Sequence, residues 1–270
     1  MKVGVLVSLS KDIKNTFKQI TDMGIYSCQV LCWDMELYTD EMAELVKEAV
    51  KETGVEISAL WAGWSAPVIW NFYDGPHSLG LVPVAYRHTR LRELKMGSDF
   101  AEKIGVTDVI THVGYIPEVP TCTEYQGLVV ALRDLANYMK AKGQYFLFET
   151  GQETPITLRR TIEDVGTGNL GINLDPANLI LYGKANPVDA LDVFGEYVRN
   201  VHGKDGCYPT NGKYTGKETR MGDGKVNYPA FIAKLKEIGY DGCITIEREI
   251  SGDEQIKDIL YAKELLEKLI

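Results

Sequence analysis

Short apolar runs and amphipathic stretches alternate eight times along this chain, and few folds accommodate that pattern. The apolar runs lie near residues 2–8, 26–32, 56–61, 107–112, 144–149, 170–175, 198–202 and 242–247. Helical periodicity follows each, near residues 11–23, 39–53, 87–104, 122–142, 155–164, 187–196, 228–238 and 253–269. Short runs bounded by turn residues read as strands, and apolar positions spaced three and four apart read as helices. Eight such units in 270 residues predict an α/β fold, a single (β/α)8 TIM barrel with residues 1–270 as one domain. A doubly wound open sheet is the competitor. Against it, no Gly-x-Gly-x-x-Gly follows the first run, and the spacing is too even for two domains. Gly54, Gly105, Gly143 and Gly239 each stand between a helical stretch and a strand, where a helix C-cap is expected.

Four side chains then stand out by position. Glu149 ends Gln144-Tyr-Phe-Leu-Phe-Glu149, and Asp175 ends Leu170-Gly-Ile-Asn-Leu-Asp175. His202 ends Val198-Arg-Asn-Val-His202, and Glu247 ends Cys243-Ile-Thr-Ile-Glu247. In a parallel barrel all strand C-termini share one face, where active sites are built. Three carboxylates converging there need a counter-charge, because burying them unpaired is very costly. A divalent cation supplies it. Carboxylate oxygens favour Mn²⁺ or Mg²⁺, and the single imidazole tilts the choice toward Mn²⁺ or Co²⁺; Zn²⁺ is less favoured without sulfur or further histidines.

Composition narrows the partners. Lysine and arginine number 29 against 38 acidic residues, a net charge of −9. Such a surface repels nucleic-acid phosphate and anionic membranes, so neither is an expected partner. No apolar run is long enough to span a bilayer. Five scattered cysteines, odd in number and without a Cys-x-x-Cys pair, fit a reduced cytoplasmic protein.

The strand-end Glu, Asp, His, Glu order resembles a known family. So do Val201-His-Gly-Lys-Asp205, Gly222-Asp-Gly-Lys-Val-Asn-Tyr-Pro229 and Gly239-Tyr-Asp-Gly-Cys-Ile-Thr-Ile-Glu247. Together these are similar to the sugar phosphate isomerase/epimerase family, the xylose isomerase-like TIM-barrel group that also holds ketose 3-epimerases, inosose dehydratases and endonuclease IV. The resemblance implies that Glu149, Asp175, His202 and Glu247 bind the metal, with Glu149 and Glu247 doubling as acid/base groups. It implies a sugar or sugar derivative as substrate, and is compatible with a homodimer or tetramer. The sequence departs from the ketose 3-epimerase pattern at two substrate-contacting positions. Asn178 stands where those enzymes carry His, and Tyr208 where they carry Arg.

The expected chemistry is isomerisation or epimerisation by proton transfer through a metal-bound cis-enediolate. A cation chelating a carbonyl and the neighbouring hydroxyl stabilises that species. The rival is a lyase, in which the same enolate expels a β-hydroxyl from an inosose or the aglycone from a 3-keto-glycoside. A DNA-repair endonuclease would need a zinc cluster and a basic face, which four histidines and the net charge oppose. A non-catalytic sugar-binding protein would not need all four ligand positions.

Further substrate-binding candidates are His112 at the fourth strand end, Lys204 two residues after His202, Asn178, Glu153, and Trp61 and Trp33 at the ends of strands three and two. Each has a plainer role open to it: a packed histidine, a Lys204–Asp205 ion pair, a first-turn glutamate, a barrel cap. Two long connections, from residue 64 to about 86 and from 203 to about 227, read as walls over the same face. The first carries Trp64, Trp70, Phe72 and Tyr73.

Overall fold

The computed structural model describes residues 1–270. Eight parallel strands close into a barrel: β1 (Lys2–Ser8), β2 (Ser27–Cys32), β3 (Glu56–Ala62), β4 (Asp108–Thr111), β5 (Tyr145–Glu149), β6 (Leu170–Leu174), β7 (Val198–Gly203) and β10 (Cys243–Ile246). The order around the barrel follows the chain, and β10 pairs with β1 to close it. Two further strands, β8 (Asp205–Gly206) and β9 (Glu218–Thr219), form a small antiparallel pair within the long connection after β7.

Helices cover the outside because each has one apolar face. In α1 (Ile13–Asp22), Ile13, Phe17 and Ile20 are buried, a spacing of four and three that makes one stripe. In α2 (Asp40–Thr53), the Thr39 hydroxyl accepts from Met42 N–H at 3.1 Å, and two acids sit in the first turn. Both suit a helix N-terminus. That helix ends at Gly54 with φ 72°, a left-handed cap, and Gly239 ends a later helix the same way with φ 77°. Among the other helices are α3 (Gly75–Ser78), α4 (Val84–Lys103), α5 (Thr123–Lys140) and α6 (Pro155–Val165). After β6 come α7 (Pro176–Leu181) and α8 (Pro187–Phe194), and the chain ends with α9 (Tyr228–Glu237) and α10 (Asp253–Leu269).

The short α7 departs from the sequence expectation, which ran straight from the sixth strand to a helix near 187. Asp175 caps it and Pro176 opens it, so the loop turns helical as soon as the strand stops. None of the helices is long and apolar enough to cross a membrane.

The large apolar core lies between barrel and helices. A smaller cluster of Ala59, Trp61, Trp64, Leu79, Ile110 and Leu147 fills part of the barrel. The rest of the barrel interior is polar. Gln29 on β2 donates to Asn173 Oδ1 on β6 at 3.0 Å, and Asn200 on β7 donates to Asp108 Oδ2 on β4 at 3.0 Å. Arg199 closes the lower end, 3.0 Å from Asp108 and stacked on the Tyr145 ring. Each side chain of this network makes at least one hydrogen bond, and Asn173 Nδ2 alone among its amide groups is left buried without a partner.

Candidate metal centre and its cavity

Side chains alternate across a strand, so one parity on each strand faces the barrel axis. On β5 that parity carries Leu147 and then Glu149; on β6, Asn173 and then Asp175. On β7 it carries Asn200, His202 and Lys204, and on β10 it leads to Glu247. The four acidic and imidazole residues come from four strands that are consecutive neighbours around the barrel. One ligand atom from each lies within 4.8 Å of the others. Glu149, Asp175 and His202 are almost wholly buried, and the Glu247 side chain is 12% exposed.

The interactions around these groups leave one direction open. Glu149 accepts from Asn178 Nδ2 at 3.2 Å and from the Trp61 indole N–H. Asp175 Oδ1 accepts from Asn178 N–H at 2.9 Å, and its backbone exchanges hydrogen bonds with the Thr150 hydroxyl. His202 Nε2 meets Gln29 Oε1 at 2.7 Å. Because Gln29 donates its amide N–H to Asn173, its oxygen is turned to the imidazole, which makes Nε2 the protonated nitrogen. Asp175 Oδ2, His202 Nδ1 and Glu247 Oε2 are buried with no hydrogen-bond partner. Nδ1 faces Glu247 Oε2 at 2.9 Å and Asp175 Oδ2 at 3.7 Å, and these three atoms turned to one point fit a divalent cation once the imidazole gives up its second proton. Asp175, His202, Glu247 and Glu149 are the residues that would hold it.

Electrostatics in the free site follow. Burial disfavours charge on His202, but the carboxylates of Glu149 and Glu247 outweigh it and hold the imidazole well above its ordinary range. Burial likewise opposes the Lys204 ammonium, and Glu247, Glu249 and Asp175 overcome it. Lys204 Nζ lies 2.8 Å from Glu249, 3.4 Å from Glu247 and 3.7 Å from Asp175. For His112 burial wins over the nearby Glu149, and the ring is held neutral.

The structure brings most of the candidates together. His112 Nε2 is 3.4 Å from Glu149; Trp61 and Asn178 bond to Glu149 directly. Trp33 sits one layer further out, 5.0 Å from the Trp61 ring. Lys204 does not pair with Asp205. Adjacent residues on a strand point opposite ways, and Asp205 instead accepts the backbone N–H groups of Gly206, Gly222, Gly224 and Val226, ordering the connection after β7. Glu153 lies outside the cavity. It is buried in the turn after β5, and burial pushes its carboxyl up to about 7 despite nearby backbone N–H groups. Tyr208 is exposed and does not line the cavity either.

A cavity of about 460 Å³ opens above the cluster, with Glu149 and Glu247 in its lining. All four tryptophans of the chain gather on its far side, with ring centroids 5.0 to 6.5 Å apart along the contacts of Trp33 with Trp61, Trp64 and Trp70. Arg90 on α4 holds this wall. Its guanidinium is buried and donates to the carbonyls of Ser78, Gly80, Ser65 and Pro67, at 2.7, 2.7, 3.2 and 2.8 Å. Of the other wall aromatics, Phe72 packs on Tyr182, and Tyr73 points outward, 72% exposed. Sequence reasoning passed over Gln29 and Arg90. A lone amide inside an apolar strand and an arginine on the inner stripe of a helix were the available signals.

A family model described as xylose isomerase-like TIM barrel matches residues 17–269, nearly the whole chain. The chain belongs to the xylose isomerase-like TIM barrel family. A xylose isomerase domain protein from Planctomyces limnophilus is 35% identical, with a TM-score of 0.92 over 99% of this chain and 96% of that one. A D-tagatose 3-epimerase-like protein is 24% identical, with a TM-score of 0.78 over 100% and 97%, a likeness of fold. An uncharacterised protein of Methanocaldococcus jannaschii is 28% identical over 182 residues, which is 60% of this chain and 56% of that relative's length. Within the xylose isomerase-like family, then, this chain carries a buried Glu-Asp-His-Glu cluster able to hold a metal ion.

Proposed function

We propose that the chain is a divalent-metal-dependent sugar isomerase or epimerase, with Mn²⁺ as the fitting ion. The observation that carries this reading is the convergence of Asp175 Oδ2, His202 Nδ1 and Glu247 Oε2, buried and without hydrogen bonds, beneath a tryptophan-walled cavity that Glu149 and Glu247 line. Glu149, Asp175, His202 and Glu247 would hold the cation, and the chemistry it would supply when bound is Lewis-acid polarisation of a sugar carbonyl. The remaining work falls to side chains. Glu149 and Glu247 stand at the two ends of the four-strand arc, so they reach a bound sugar from different sides. One takes the proton from the carbon beside the carbonyl; the other, or the same one at the next carbon, returns it. The Trp61 indole and the Asn178 amide fix the orientation of Glu149. Tryptophan faces suit the C–H face of a sugar ring and keep water from the carbanion-like centre.

A lyase is the second reading, favoured by Lys204. Its buried ammonium, 3.4 Å from Glu247, is placed to donate a proton to a departing oxygen. The test is proton exchange. Mn²⁺-loaded protein is incubated in D₂O with ketoses, ketose phosphates, inososes and ring-ketone sugars, and followed by NMR and mass. Deuterium entering beside a carbonyl in a product of otherwise unchanged composition supports the isomerase or epimerase. Loss of water or an aglycone supports the lyase. No exchange, together with no metal binding, sinks both.

A further inference from the structure

We infer that Asp108 and Asn200, inside the barrel below the cluster, are positioning residues for the candidate metal centre, acting through Gln29 on His202. The inference rests on the metal reading of the site and deepens it. These side chains form one continuous run of hydrogen bonds. Arg199 Nη2 donates to Asp108 Oδ1 at 3.0 Å, and Asn200 Nδ2 donates to Asp108 Oδ2 at 3.0 Å. Gln29 Nε2 donates to Asn173 Oδ1 at 3.0 Å and to Asn200 Oδ1 at 3.5 Å. Gln29 Oε1 then meets His202 Nε2 at 2.7 Å. Arg199 apart, every member is buried.

The sense of this run is set at its lower end. A carboxylate only accepts, so Asn200 turns its NH₂ to Asp108 and its oxygen toward Gln29. Gln29, met by two amide oxygens, turns its NH₂ to them and its oxygen to the imidazole. His202 therefore donates from Nε2 and aims Nδ1 at Asp175 and Glu247. An amide by itself is free to face either way. Asn173 cannot set the sense, because its own amide nitrogen is buried without a partner. Asp108 can, since both of its oxygens are acceptors.

The backbone is shaped for this contact. Ile172 on β6 pairs with Val198 on β7, but Asn173 pairs with Asn200, so Arg199 is the extra residue of a bulge. Neighbours on a regular strand face opposite ways, yet Arg199 and Asn200 both reach Asp108. Gly171 leaves room for the arginine: a Cβ there would lie 2.6 Å from Arg199 Cδ. A carboxylate at this depth needs a counter-charge, and Arg199 supplies it while stacked on the Tyr145 ring. Barrel interiors are dominated by branched apolar side chains. Gln29, Asp108, Asn173 and Asn200 forgo that packing, and the orientation of His202 is what they secure in exchange.

The test is Mn²⁺ titration calorimetry on Asp108→Ala and Asn200→Ala, each alone and combined with Gln29→Leu, with circular dichroism as the fold control. Each single variant is expected to bind Mn²⁺ roughly three- to tenfold more weakly than wild type, a smaller loss than cutting the Gln29 contact itself. In the Gln29→Leu background the same changes are expected to cost less than about twofold, because the path to His202 is already cut. A merely structural role would cost the same in both backgrounds. Should Asp108→Ala not fold, Asn200→Ala carries the comparison.

A second readout needs no metal. The His202 Nε2–H proton is followed by NMR in metal-free protein with isotope-labelled histidine, and is assigned by its loss in His202→Asn. Its exchange with solvent is expected to be at least about tenfold faster in Asp108→Ala and Asn200→Ala than in wild type. Unchanged Mn²⁺ affinity in the folded single variants, equal losses with and without Gln29, or an unmoved proton would overturn the inference. If the wild type binds no Mn²⁺, the metal reading falls, and the proton signal alone decides whether Asp108 and Asn200 hold His202.

Discussion

Gln29 reaches across the barrel from β2 to His202 on β7, with its side-chain oxygen 2.7 Å from Nε2. The amide is fully buried and donates to Asn173 Oδ1, so it cannot flip without breaking two hydrogen bonds. This contact fixes which imidazole nitrogen faces Glu149, Asp175 and Glu247.

Removing that acceptor is expected to cost metal affinity while leaving the barrel folded. Gln29→Leu strands the Nε2–H and frees the ring to rotate, and a loss of about 10–100-fold in Mn²⁺ affinity is expected. Gln29→Glu keeps an acceptor oxygen and should retain more of it. Titration calorimetry on both variants checks the order; equal affinity in Gln29→Leu and wild type would remove Gln29 from any positioning role.

Metal should stabilise the fold and should compete with protons. At a free concentration about 100-fold above Kd, binding contributes roughly 2.7 kcal/mol. For a chain of this size that is a rise in Tm of about 5–10 °C. Asp175→Asn and Glu247→Gln should abolish the rise. The free site holds the His202 pKa well above the usual imidazole value, so a proton must leave before Nδ1 can bind. Apparent affinity therefore climbs with pH through neutrality and beyond, rather than levelling near 6.5. Scanning calorimetry and titrations at several pH values test both statements.

Glu153 gives the fold a separate pH dependence. Its carboxyl is raised by burial from an ordinary 4.5 to about 7, so the native state holds this proton more tightly than the unfolded chain does. The advantage is complete below 4.5 and is lost as pH rises through 7. Glu153→Gln, neutral at every pH, should raise stability at pH 8 by up to about 3 kcal/mol and leave it little changed at pH 4. Urea unfolding at the two values decides it; an equal effect at both would show that the carboxyl does not titrate there.

Arg90 is the expected weak point of the tryptophan wall. Four backbone carbonyls of the connection between β3 and α4 depend on one guanidinium. Arg90→Met leaves them without that donor and should cost about 3 kcal/mol or more. Arg90→Lys, lacking the planar fork, should recover little. Proteolysis under native conditions should then cut between Trp64 and Tyr86 in the variants and not in the wild type.

Much of this was legible in the sequence because period-two alternation carries the inward parity past the end of each strand. Glu149, Asp175 and Glu247 were readable as the last members of apolar runs, and Lys204 shares the parity of His202. Asp205 has the opposite parity, which is why the Lys204–Asp205 pair did not form. Gln29 was not readable as a partner of His202, since its meaning depends on a contact 173 residues away. The six-residue α7 was too short for helical periodicity to show, although Asp175-Pro176 was a cap signal in plain view. Glu153 looked like a rim residue by proximity to Glu149, but the turn after β5 folds it inward, away from the cavity.

The candidate metal-holding residues all come from positions 149–247, on four adjoining strands, whereas the tryptophans all come from positions 33–70, on the other side of the mouth. On the proposed reading, the groups that hold the metal and the aromatic wall that meets the substrate are thus written in different stretches of the chain. That reading expects chimaeras joined between β4 and β5 to carry the substrate preference of one parent and the reaction of the other.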